Sequence, residues 1–66
     1  MYEDLDQYQI RILEVMKRDG TLTGAQIGAE LWMSKTAVQR NVRVLREKGY
    51  IHREGSHRKG VWIIDK

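Results

Sequence analysis

Sixty-six residues without a cysteine make one domain at most, and neither disulfides nor a cysteine-based zinc site can reinforce its modest core. The net charge of +3 is unevenly placed: residues 1–33 hold three basic and six acidic side chains, and residues 34–60 hold eight and two. A basic half beside an acidic one points to a face made for a polyanion, either nucleic acid or an anionic membrane.

The opening "MYEDLDQYQ" has neither the basic segment nor the apolar run of a signal peptide, and nothing in the chain reaches the length of a membrane span. The expectation is a single soluble, cytoplasmic domain over residues 1–66. Asp4 and Gln7 have the spacing of a capping box, which predicts a first helix over residues 5–19 with Gly20 as the left-handed residue after it. Leu5, Tyr8, Ile12, Leu13, Val15 and Met16 form its apolar arc. Ile10 lies off that arc. With Tyr2 and Leu5 it makes this helix a candidate for pairing with a second copy as a homodimer.

"TLT", residues 21–23, has room for a three-residue strand and no more. Thr23 and Gln26 form a second capping box and predict a helix over residues 24–31. Gly28 in its middle is a poor helix former, most simply kept because another helix passes close. Only "WM" separates this helix from the next, the short connection of a helix-turn-helix. Trp32 stands where a glycine would turn more easily, and is expected either at the edge of the core, the favoured place, or in contact with a partner.

Ser34 caps the third helix, residues 35–48, and Gly49 ends it. At roughly 100° per residue, Val38, Val42 and Leu45 share one narrow arc, while Thr36, Gln39, Arg40 and Arg43 fall opposite. That polar face carries no acid before Glu47, unlike a face made only for solubility. A membrane-surface helix would carry larger apolar residues than these valines and one leucine. "YIHRE" and "VWIID" read as strands joined by the glycine-bounded loop "GSHRKG". The expected fold is α+β, a winged helix-turn-helix of three helices with a small antiparallel sheet in the order α-β-α-α-β-β.

In such a fold the second helix of the pair enters the major groove of double-stranded DNA. Gln39 matches adenine, and Arg40 or Arg43 guanine, by bidentate hydrogen bonds. Thr36 suits a thymine methyl or a phosphate. Ser34 and Lys35, at the helix N-terminus, suit phosphates, whereas Arg46 and Lys48 lie too far along for bases. His57, Arg58 and Lys59 in the wing, residues 55–60, suit the backbone or the minor groove. Trp62 reads as core or wing support. His52 and His57 have no cysteine or carboxylate cluster at ligand spacing, so no metal is expected. Neither a cofactor loop nor a nucleophile–base pair is visible, so no cofactor and no enzyme activity are expected.

Three stretches, "ILEVMKRDGTLTGAQIGAEL", "MSKTAVQRNVRVLREKGYI" and "REGSHRKGVWII", together resemble the winged helix-turn-helix superfamily of prokaryotic DNA-binding regulators. The last two are similar to the terminal winged-helix domains of regulators with an AlbA-type or RecG-like ATP-binding region. The resemblance implies DNA binding, transcription regulation and a place on the prokaryotic nucleoid. That family has glycine where Trp32 stands and alanine where Gly28 stands. Zα domains, which bind Z-form nucleic acid, share the topology and a tryptophan matching Trp62. They carry asparagine and tyrosine where Gln39 and Arg43 stand, and prolines in the wing, of which this chain has none. A rival of another class is a protein-interaction adaptor. Its hot spots would be aromatic, whereas positions 36, 39, 40 and 43 hold polar, base-reading types.

Overall fold

A computed structural model of the chain describes residues 2–55 and 60–66. Helix α1 runs Gln7–Arg18, α2 Gly24–Leu31 and α3 Lys35–Glu47, followed by strands β1, Ile51–Glu54, and β2, Val61–Ile64. The fold is α+β with the expected winged arrangement, but among the described residues the sheet has two strands, not three. Residues 21–23 form no strand. One backbone bond, from the Trp62 N–H to the Gly20 carbonyl at 2.9 Å, is what ties that segment to β2.

Each helix begins where a side chain satisfies an orphan N–H. At α2 the box of Thr23 and Gln26 is made as its spacing predicts, and Ser34 accepts the Ala37 N–H at 3.1 Å. At α1 the box lies two residues later than expected, between Asp6 and Gln9. Asp4 is drawn elsewhere, to the Tyr50 hydroxyl and Lys48. The end of α3 is a Schellman turn. Gly49 takes φ 79°, its N–H bonds the Arg46 carbonyl, and the Tyr50 N–H reaches back to Leu45.

Two glycines are kept for reasons the sequence did not disclose. Gly20 is not left-handed; a side chain there would run into the Trp62 carbonyl, so the glycine lets β2 approach the end of α1. A Cβ on Gly28 would lie 2.5 Å from the Met33 carbonyl and 3.4 Å from a Val38 methyl. The close neighbour is thus mainly the inter-helix turn, and only secondarily another helix. That turn closes with the Met33 N–H on the Gly28 carbonyl at 2.8 Å, and the left-handed position falls on Trp32, at φ 60° and ψ 38°. For an L-residue with a Cβ this conformation costs about 1–2 kcal/mol. Trp32 is 97% exposed, so the expectation that it caps the core's edge is wrong.

The core is one cluster of Ile12, Leu13, Val15, Met16, Ile27, Val38, Leu45, Tyr50 and Ile51. Tyr8, expected on the buried arc, is 46% exposed, while Leu5 precedes α1 and packs against the cluster with Tyr2 and Val42. In the hairpin Ile51 faces Ile64 and Arg53 faces Trp62. Trp62 is half-buried against the core and carries the Arg53 guanidinium over its ring, 5.2 Å from the centroid.

These contacts distinguish two glycines of one helix. Gly28→Ala should destabilise the protein by about 1–3 kcal/mol in denaturant titration, because a backbone carbonyl must move. Gly24→Ala, whose Cβ would meet nothing closer than 3.7 Å, should hold or raise stability.

Candidate nucleic-acid interface

The outward face of α3 is set by what its inward face buries. Val38 and Leu45 have no exposed surface at all, and each such burial contributes roughly 1.5–3 kcal/mol. Rotating α3 about its axis would forfeit both. Ser34, Lys35, Thr36, Gln39, Arg40 and Arg43 are left exposed along one side, as the periodicity predicts. Ser34 uses its hydroxyl oxygen as an acceptor for the cap, which leaves its O–H free to donate. Gln39 lies over the first residue of α2, its Cγ 3.7 Å from where a side chain on Gly24 would begin. The small residue at 24 makes room for it.

The charges of this face are lightly held. Arg43 pairs with Glu47 one turn on, at 3.5 Å with both side chains mostly exposed. Such a pair is worth about 0.3–0.5 kcal/mol, against about 1–3 kcal/mol for a good bidentate contact to a base. The pair orients Arg43 without retaining it. Other acids are engaged away from the face: Glu30 with Arg18, and Asp4 with Lys48 at 3.7 Å. Lys48 also bonds the Asp4 carbonyl, so it is turned toward the chain start and off the face. His57, Arg58 and Lys59 lie outside the described residues.

Sequence reasoning passed over three residues. Gln9 is a polar side chain 8% exposed. Its Oε1 accepts the Asp6 N–H at 3.1 Å, and its Nε2 donates to Asn41 Oδ1 at 3.2 Å. Asn41 in turn donates to the Ala37 carbonyl at 2.8 Å. One chain of hydrogen bonds therefore joins the start of α1 to the middle of α3 and fixes how α3 sits. The signal was a glutamine on the edge of an apolar arc and an asparagine among valines. Arg53, held over Trp62 on β1, adds a cation to the wing; a basic residue cross-strand from a tryptophan was its signal. Trp32 is the third.

At the base of the wing, His52 stands between two carboxylates. Its Nδ1 is 2.8 Å from both Asp65 oxygens and its Nε2 2.6 Å from Glu54. A neutral imidazole has one N–H, so only the imidazolium makes both bonds. Glu54 first and Asp65 second raise its pKa above 6.5, against a smaller opposing effect of burial.

The sequence matches the MarR family over residues 4–60. The chain belongs to that family. As a MarR-family winged helix-turn-helix it is a DNA-binding regulator domain and not an enzyme. It is similar to the proline dehydrogenase transcriptional activator of Rhizobium radiobacter, 35% identical over 49 residues, which cover 74% of this chain and 31% of that protein. This MarR-type chain thus spans about a third of the length of that curated relative. No solved structure matches it. Among the described residues, no helix is long and apolar enough to cross a membrane.

Two outcomes follow from the polar contacts. Gln9→Leu should lower stability by about 1–3 kcal/mol, since it strips a cap and strands Asn41, and adding Asn41→Leu should recover part of the loss. His52 binds its proton more tightly folded than unfolded, so its contribution is complete below pH 6.5 and lost as pH rises through the raised folded value. Thermal melts across that window should show the parent losing stability relative to His52→Gln as pH increases. A constant difference would mean that His52 is not held protonated.

Proposed function

We propose that this domain binds double-stranded B-form DNA sequence-specifically and regulates transcription. Helix α3 enters the major groove, where Gln39 reads adenine and Arg40 or Arg43 reads guanine. Thr36 meets a thymine methyl or a phosphate, while Ser34 and Lys35 anchor the phosphates at the helix N-terminus. The segment 55–60 with His57, Arg58 and Lys59 contacts the backbone or the minor groove, joined by Arg53 from β1. The observation that carries the reading is the division of α3: Thr36, Gln39, Arg40 and Arg43 exposed opposite a fully buried Val38 and Leu45. The relative's name, a transcriptional activator, supports the regulatory role.

B-form is favoured over Z-form because a glutamine and an arginine replace the asparagine and tyrosine of a shape reader, and the chain has no proline. Pairing of two copies through α1 belongs to the same proposal, with half-sites about one DNA turn apart. Tyr8 and Ile10 are the side chains left for that contact, since Tyr2 and Leu5 pack on their own core.

Selection from a random oligonucleotide pool supplies a preferred duplex for the test. Gln39→Ala and Arg43→Ala should each lose about 1–3 kcal/mol on that duplex. On scrambled DNA Gln39→Ala should lose almost nothing, and Arg43→Ala less than on the preferred site. Both side chains are exposed, so melting temperatures should hardly move. If the ratio of preferred to scrambled binding stays at the parent value in both variants, α3 is not the reader, and the adaptor reading takes its place.

A further inference from the structure

Capping explains the backbone of Trp32, the left-handed residue that ends α2, but no packing explains its side chain. Trp32 is 97% exposed, whereas Tyr8, the other large exposed apolar residue described, keeps about half its surface covered. Its backbone is left-handed at φ 60°, where glycine sits without strain and tryptophan does not. The turn beneath it is firm. Met33 bonds back to Gly28 at 2.8 Å, and Ser34 caps the next helix at 3.1 Å. The indole is thus held out from a fixed base at a double disadvantage to the isolated domain.

Its place in the fold says what would cover it. Trp32 precedes the Ser34 cap of α3 by two residues, so the two Cα atoms lie within about 8 Å. An α-helix with its side chains is about 10–12 Å across, and it fills a major groove about 12 Å wide. When the N-terminal part of α3 is seated there, sugar-phosphate strands run along both flanks of that end. A side chain as long as tryptophan, starting within that distance of the cap, reaches a flanking strand. Lys35 and the positive end of the α3 dipole draw phosphates to the same spot. The acid nearest in sequence, Glu30, is paired with Arg18 and does not oppose them.

We propose that Trp32 is a further DNA-contacting residue, its ring packed on the deoxyribose of the strand flanking α3 and its indole N–H donating to a phosphate oxygen. The inference rests on α3 lying in the groove. Trp32 adds affinity that does not depend on base sequence. Because it buries an aromatic ring and releases few counterions, that affinity persists at salt concentrations where the phosphate term has faded.

Trp62→Phe leaves Trp32 as the sole tryptophan of the two in the chain. Binding is followed separately, by the anisotropy of a labelled duplex. Acrylamide quenching of Trp32 should be strong in the free protein and should fall when the selected duplex saturates it. In the parent background Trp32→Gly should raise the melting temperature, because glycine relieves the left-handed turn. It should nevertheless weaken selected and scrambled duplexes alike, by roughly tenfold, with the salt slope unchanged. A stabilised variant that binds less well is the result a merely structural tryptophan would not give. Undiminished quenching on saturated protein, or parent-like affinity in Trp32→Gly, overturns the proposal and points to a protein partner or a second copy at this ring. These failures differ from failure of the α3 reading, in which Gln39→Ala and Arg43→Ala leave specificity untouched. A parent chain that binds no duplex overturns both.

Discussion

The complete burial of Val38 and Leu45 is the constraint on which the exposed face of α3 depends. Both belong to the single cluster that also holds Ile12, Leu13 and Met16 of α1 and Ile51 of the hairpin. A helix that commits one stripe to such a cluster has no freedom about its opposite face. The exposed side of α3 is therefore a consequence of core packing, and its chemistry can vary without disturbing the fold. Only this separation allows a chain of this length to spend a whole helix face on polar and basic residues.

Depth of seating and rotation are then refined by polar contacts of a kind apolar packing cannot supply. Hydrophobic contact is non-directional, whereas the Gln9–Asn41–Ala37 chain has defined donors and acceptors across α1 and α3. Among the described residues no buried side-chain nitrogen or oxygen lacks a partner. At the other end of α3, the Schellman turn at Gly49 delivers Tyr50 and Ile51 into the core, and this starts β1 at a fixed angle. The wing is braced again where Trp62 bonds to Gly20, linking β2 to the end of α1.

The helix-turn-helix corner is where local preference and tertiary demand conflict. A tight turn after α2 requires a left-handed residue and a small one four positions earlier. Here the small residue is Gly28 and the left-handed one is Trp32. The glycine thus stands in the helix and not at the turn, and a tryptophan projects from the corner. Local strain of this kind persists only where the surroundings over-determine it, and the Met33–Gly28 bond with the Ser34 cap provides that here.

What the sequence alone determined was periodic or local. The apolar stripes of α1 and α3, the Thr23 and Ser34 caps, the Gly49 stop and the glycine-bounded hairpin each rest on residues within a few positions of one another. The outward set of Ser34, Lys35, Thr36, Gln39, Arg40 and Arg43 follows from helical geometry once Val38 and Leu45 point inward. Tertiary structure decided what no local pattern carries. It moved the first cap from Asp4 to Asp6, because Asp4 has better partners in Tyr50 and Lys48, both more than forty residues away. It withheld a strand from residues 21–23: among the described residues, the backbone bond of β2 beside them is the one from Trp62 to Gly20. It joined Gln9 to Asn41 across 32 residues of sequence. It also left Trp32 in solvent, because the turn's handedness, not the hydrophobicity of its side chain, sets where that residue points.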